Sequence, residues 1–270
     1  MKFSDTHCHL DFPGFDVNRD ALIGACRASS VDLLIVPSVQ RTRWEKVLAL
    51  SSLYPDVLVG LGLHPYFVAQ HKRSDIDVLE SLLVNKELSN VVAVGEMGLD
   101  ATIENIEEQF FYFERQLELA ERHKMPVIIH SRKTHNEVIN AVRAFNLVGG
   151  VVHAFSGSSE LLNEFVRSGL KIGVGGVITW PSAVKTRDSI AKAPLESLVL
   201  ETDSPDMKVV LNERSRGIKD RVGRFGGKST PLGVLAVFEA LCKIRTESPE
   251  LIAKQLWENT QSLFFRRELS

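Results

Sequence analysis

Cysteine is scarce in this chain, with three in 270 residues. Cys8, Cys26 and Cys242 form no Cys-x-x-Cys pair and no disulfide-like spacing. That argues against a disulfide framework and fits a reducing compartment. Excess charge of either sign is also missing: 32 basic and 34 acidic residues leave a formal charge of −2. Such a chain has no global attraction for a polyanion, so nucleic-acid binding would need a local basic patch. No uninterrupted apolar stretch approaches the roughly 18 residues a membrane span requires. The first residues, Met1-Lys2-Phe3-Ser4-Asp5, lack the basic segment and apolar run of a secretory signal. Tandem repeats and low-complexity tracts are absent too. These absences lead to the expectation of a soluble cytoplasmic protein, a monomer or weak oligomer.

What is present is a rhythm of short apolar runs and longer amphipathic segments. The runs are Phe3–Cys8, Asp32–Pro37, Val57–Leu63, Val91–Gly95, Pro126–Ile129, Gly150–Val152, Lys171–Val174 and Leu198–Leu200. Consecutive apolar, β-branched residues are the mark of parallel strands buried on both faces. Between them, Ser74–Leu88, Glu107–His123, Thr134–Phe145, Ser158–Ser168 and Val184–Ala193 read as helices. Pro231–Lys243 and Pro249–Phe265 read as closing helices. The alternation predicts an α/β fold, a single (β/α)₈ TIM barrel spanning residues 1–270 as one domain. An open doubly wound sheet is the second choice.

Polar residues fall at the ends of these runs. The first ends in Thr6-His7-Cys8-His9, the third in Gly62-Leu63-His64-Pro65, and the fourth in Gly95-Glu96-Met97-Gly98-Leu99-Asp100. The fifth ends in His130-Ser131-Arg132, the sixth in His153-Ala154-Phe155-Ser156-Gly157, and the eighth in Glu201-Thr202-Asp203. In a barrel the carboxyl ends of the strands converge on one face, where active sites lie. An imidazole or carboxylate after several apolar residues is costly to bury alone, and several sharing a cation offset that cost. Alternate strand residues share a face, so His7 and His9 point together while Cys8 points away. Glu201 and Asp203 repeat the alternation, and Asp203, nearer the strand end, is the better ligand. His7, His9, Glu96, His130, His153 and Asp203 are therefore the expected metal ligands. His71 and His123 receive no role, and His135, early in a helix, reads as a solvated residue, with support of the ligands as the alternative.

These ordered motifs, together with Asp5 before the His-x-His pair and Ser204-Pro205 after Asp203, resemble the TatD family of metal-dependent deoxyribonucleases. Gly173-Val174-Gly175-Gly176 followed by Thr179 and Pro181 looks like its YjjV-type branch. The match runs from the first strand to about Pro231. The resemblance implies a TIM barrel holding two divalent ions. It implies one ion on His7, His9, Glu96 and Asp203 and another on Glu96, His130 and His153, with Glu96 bridging. Here Lys228-Ser229-Thr230-Pro231 stands where the family often has Arg-Asn-x-Pro.

A mixed nitrogen and oxygen ligand set suits Zn, Mn, Fe, Co or Ni, and Mg less well. Glu96 and Asp203 are the expected catalytic residues, with Asp203 accepting a proton from the attacking water. His64 and Arg132 are the expected contacts to a substrate phosphate. The stretch Asp206–Lys228 carries seven basic residues against three acidic ones and looks like a loop beside the site. It is a place where a nucleic-acid backbone, such as single-stranded DNA, would track. Trp180 and Phe155 are possible base-stacking residues, although packing roles suit them better. The expected function is a phosphodiesterase acting on DNA ends. The alternatives are a binuclear hydrolase of a small ester, lactone, amide or phosphoester, and a non-catalytic protein stabilised by its metal.

Overall fold

A computed structural model describes residues 1–211, 225 and 229–265. Eight parallel strands form one sheet in sequence order: β1 (Phe3–Asp5), β2 (Val31–Pro37), β3 (Val57–Leu61), β4 (Val91–Asp100), β5 (Val127–Arg132), β6 (Gly150–Val152), β7 (Leu170–Val174) and β8 (Leu198–Leu200). The order never reverses, as a doubly wound sheet must. No continuous ladder joins β8 to β1, but the seam is bonded. Thr6 N donates to Leu200 O at 2.9 Å, Asp203 N to His7 O at 2.8 Å and His9 N to Ser204 O at 2.8 Å. The chain adopts the expected (β/α)₈ barrel.

Helices α1 (Arg19–Arg27), α2 (Arg41–Leu53), α3 (Ser74–Leu83), α4 (Ile106–Arg122), α5 (His135–Arg143), α6 (Ser159–Arg167) and α7 (Val184–Lys192) follow β1 to β7. Then come α8 (Val234–Cys242) and α9 (Pro249–Phe264). The sequence reading singles out neither α1 nor α2. Helix α2 sets buried Trp44, Val47 and Leu50 among Arg and Lys residues, so its apolar stripe is narrow. Among the described residues, no helix is long and apolar enough to cross a membrane.

Side-chain alternation divides each strand between two cores. Leu33, Ile35, Leu58, Ala93, Ile128, Val151 and Val199 meet inside the barrel, with Leu263 and Phe264 of α9 packed among them. Their neighbours Leu34, Val36, Val59, Val94, Ile129, Val152 and Leu200 face the helices. Continuing the inward set along each strand reaches His130 after Ile128, His153 after Val151, and Glu201 and Asp203 after Val199. Alternation thus delivers these residues to the carboxyl mouth.

Two strands run further than expected. β4 continues past Gly95 to Asp100, and β5 past Ile129 to Arg132. Glycine is depleted in strands, so the sequence pattern stops at Gly95. The pairing instead carries on as Met97↔Ile129, Gly98↔His130, Leu99↔Ser131 and Asp100↔Arg132. Two close backbone approaches require glycine here. A Cβ on Gly98, at φ +148°, would lie 1.9 Å from His130 O. A Cβ on Gly62 would lie 2.5 Å from Glu96 O. Gly98→Ala therefore forces β4 and β5 apart. We expect a loss of about 2 kcal/mol or more in equilibrium denaturation, from strain and displaced neighbours. Unchanged stability would contradict this close approach.

Candidate metal centre

Glu96 arrives at the mouth by a β-bulge. Val94 pairs with Val127 and Met97 with Ile129, so two residues, Gly95 and Glu96, oppose Ile128 alone. Strict alternation from the inward Ala93 would turn Glu96 outward. The extra residue reverses that parity and aims its carboxylate into the barrel.

There Glu96 is 2 % exposed, and its two oxygens face different histidines. Oε2 lies 3.2 Å from His7 Nε2 and 3.7 Å from His9 Nε2. Oε1 lies 2.8 Å from His153 Nε2, 3.4 Å from His130 Nδ1 and 3.0 Å from His64 Nε2. Asp203 Oδ1 joins the first side, 3.5 Å from His7 Nε2 and 3.4 Å from His9 Nε2. The His7 and His153 rings stack with centroids 4.0 Å apart. All six expected ligand residues, drawn from five strand ends, thus meet around one carboxylate. Two groups of these residues, His7–His9–Glu96 and His7–His153–Asp203, bring donor atoms close enough to hold an ion, and His64 joins Glu96 and His130 in a third.

The electrostatics call for positive charge. Burial disfavours a charged His153, but Glu96 outweighs it and lifts the pKa to about 10. Burial likewise opposes charge on His9, yet the bond to Asp203 and the charge of Glu96 raise it to about 9. At His7 burial wins, helped by repulsion from His153, and the pKa falls to about 4. Burial would raise Glu96, but the surrounding imidazoles hold it well below the usual carboxylate range. Converging nitrogen and oxygen donors that attract protons this strongly fit a divalent cation.

Hydrogen bonds behind the cluster orient two of the rings. His9 Nδ1 lies 3.3 Å from Pro37 O, an acceptor only, so in the neutral ring Nδ1 carries the proton and Nε2 is left bare towards Glu96. His130 Nε2 lies 3.2 Å from Asp100 Oδ2, which fixes its proton there and leaves Nδ1 bare. Asp100 is itself held by Thr102, whose N and Oγ1 donate to Oδ1 at 2.8 and 2.6 Å. The sequence reading gives Asp100 no role, because it ends β4 at Gly95. Asp100→Ala should weaken metal affinity or activity by about 10–100-fold with the fold retained, as removal of such orienting partners does. Metal titration of the variant checks this, and unchanged affinity with unchanged activity would refute it.

Asp5 is a second group the sequence reading leaves without a role. Fully buried at the β8–β1 seam, it accepts from Thr202 Oγ1 at 2.6 Å, Thr202 N at 3.0 Å and His7 N at 3.2 Å. It ties the His7 segment to the Asp203 segment where no ladder does. Glu201 accepts from Ala154 N and sits against Gly173, with burial raising its pKa to about 7.

Arg132 has an exposed side chain, its guanidinium 4.0 Å from Asp100. It borders a cavity of about 330 Å³ beside the cluster, shared with His130, Ser131, Lys133, His153 and Phe155. His64 turns its Nε2 to Glu96 rather than into that cavity. Phe155 is buried and packs edge-on against Phe165. Trp180 is exposed, and its indole N–H donates to Lys208 O. His71 Nε2 donates to the His64 carbonyl oxygen at 2.9 Å. His123 pairs with Glu80 and His135 with Ser131. Most of the basic stretch Asp206–Lys228 lies outside the described residues. Of the departure from Arg-Asn-x-Pro, Ser229, Thr230 and Pro231 are buried, and Lys228 lies outside the described residues.

The family model described as TatD related DNase matches residues 4–265. A protein of Escherichia coli (strain K12), described as the uncharacterized metal-dependent hydrolase YjjV, is 41% identical, covering 97% of this chain and 98% of its own. The crystal structure of the E. coli K12 YjjV, a TatD homologue, superposes with a TM-score of 0.88 at 40% identity over 98% of both chains. The 3'-5' ssDNA/RNA exonuclease TatD of Erwinia billingiae (strain Eb661) is 27% identical, covering 96% of this chain and 98% of its own. The barrel, the converging donors and these matches agree, and the chain belongs to the TatD family.

Proposed function

We propose that this chain is a divalent-metal-dependent phosphodiesterase that removes nucleotides from the ends of single-stranded DNA, using two ions. The observation that carries the proposal is the division at Glu96: Oε2 faces His7 and His9, which Asp203 also approaches, and Oε1 faces His130 and His153. On that reading His7, His9 and Asp203 would hold one ion and His130 and His153 the other, with Glu96 shared between them. Bound ions of this kind lower the pKa of a water and neutralise charge developing on an attacked phosphoryl group.

The protein's own groups complete the chemistry. Asp203 is held below the usual carboxylate range, since burial is outweighed by His9, His153 and His7. It is therefore ionised at neutral pH and able to take the proton of the attacking water. Arg132, at the rim of the 330 Å³ cavity, is assigned the phosphate contact. His64 is the other phosphate contact expected from sequence. Its Nε2 is engaged by Glu96, so we give the phosphate to Arg132. The DNA substrate draws support from the Erwinia relative, whose name specifies a single-stranded DNA and RNA exonuclease.

The test is incubation of protein loaded with Mg, Mn, Co, Ni or Zn with single-stranded DNA labelled at its 3′ end. Labelled mononucleotide should appear first, and salt should suppress its release. No release with any of these metals would sink the proposal. A saturable small ester or phosphoester, with DNA inert, would replace it with the small-molecule reading.

A further inference from the structure

We infer that His64 is a positioning residue that holds Glu96 by an Nε2–H donor, and that it is not an ion ligand. The inference rests on reading Glu96 as the bridging carboxylate. His64 Nε2 stands 3.0 Å from Glu96 Oε1, as close as the ligand histidines do, and by distance alone it belongs to the cluster. What separates it is the bond at its far nitrogen. His64 Nδ1 accepts the backbone N–H of Tyr66 at 3.0 Å. A backbone N–H is a donor only, so Nδ1 carries no proton. The single proton of the neutral ring then sits on Nε2, which has no lone pair left for a cation.

His9 and His130 are wired the opposite way. Their far nitrogens face Pro37 O and Asp100 Oδ2, which only accept, so in the neutral rings the far nitrogen holds the proton and the near nitrogen is bare. The backbone around His64 keeps this orientation. Tyr66 N belongs to the short helical turn Pro65–Gln70, whose first residues follow directly from His64. His71, from just beyond that turn, bonds the His64 carbonyl at 2.9 Å. Both nitrogens of His64 are thereby committed, one to its own backbone and one to Glu96. Its effect is to fix the Oε1 edge of Glu96 against rotation, leaving Oε2 for the His7 and His9 side.

The test uses the full chain, selectively ¹⁵N-labelled at histidine and loaded with zinc. The His64 signals are those lost in His64→Gln. Long-range ¹H–¹⁵N correlation should show a bare Nδ1 and a protonated Nε2. A protonated Nδ1 with a bare Nε2 would overturn the inference. Zinc stoichiometry at saturation should be equal in wild type and His64→Ala, whereas loss of an ion would make His64 a ligand and overturn it as well. In activity, His64→Ala should fall about 10–100-fold, the range for lost orienting partners. His64→Gln, which keeps an N–H near the Nε2 position, should recover most of that, and His64→Asn should not. Equal loss in all three would overturn the donor role. The correlation and zinc readouts need no nucleic acid, so a failed nuclease assay leaves them decisive.

Discussion

A Glu96→Ala variant loses hydrolytic activity by at least about 10³-fold, or about 4 kcal/mol of transition-state stabilisation, while keeping its fold. The size follows from position. Glu96 is the one carboxylate within 4 Å of all of His7, His9, His64, His130 and His153 among the described residues. Removing it takes charge from both sides of the cluster at once, whereas loss of any one histidine leaves the other side intact. The fold should survive because Glu96 belongs to neither apolar core. Glu96→Gln separates charge from shape: it keeps the volume and should lose nearly as much activity. Steady-state kinetics beside circular dichroism measures both. Activity within tenfold of wild type in Glu96→Ala would remove Glu96 from the centre of the mechanism.

Stripping the metal abolishes activity as completely, and here the loss is reversible. Chelation by dipicolinate followed by gel filtration should leave folded, inactive protein, with activity returning in proportion to added divalent cation. The barrel keeps its shape because its two apolar cores do not involve the ligand atoms. This differs from small zinc modules, where the metal supplies most of the folding energy. Stability should still fall, because an ion that binds only the folded chain stabilises it by about 3–4 kcal/mol at 100–1,000 times its Kd. For a chain of this size each kcal/mol moves Tm by roughly 2–4 °C. A drop of about 5–15 °C is therefore expected in calorimetry, with elemental analysis giving the ions lost per chain. Full activity in protein with under a tenth of an ion per chain would end the metal-dependent reading.

Both predictions concern residues that the sequence alone already names, and the reason is chemical. Imidazoles and carboxylates directly after β-branched apolar runs are out of place unless something compensates their burial. His130 and His153 stand that way, and continuing the inward alternation from Ile128, Val151 and Val199 brings them and Asp203 to the mouth. Boundaries were less legible. Ending β4 at Gly95 is reasonable by propensity, but the strand continues to Asp100 because β5 pairs with it through His130 and Arg132. Gly98 permits that pairing, since its lack of a Cβ lets His130 O approach. The roles of Asp100 and Asp5 are not legible in the sequence for a similar reason. Their partners, His130 and Thr202, lie 30 and 197 positions away in the chain.

By itself, then, the sequence determined the alternation of strands and helices, the barrel, and the identities of the residues that crowd its mouth. Periodicity and burial cost are local properties, and a reader of one strand at a time can follow them. Only the tertiary structure decided which way Glu96 points and where the proton on His64 sits. The first depends on a bulge, which exists only relative to the neighbouring strand β5. The second depends on whether the group behind each ring gives or accepts a hydrogen bond, as Tyr66 N, Pro37 O and Asp100 do. Register and hydrogen-bond direction are relations between segments, so they take definite values only once the segments are packed together.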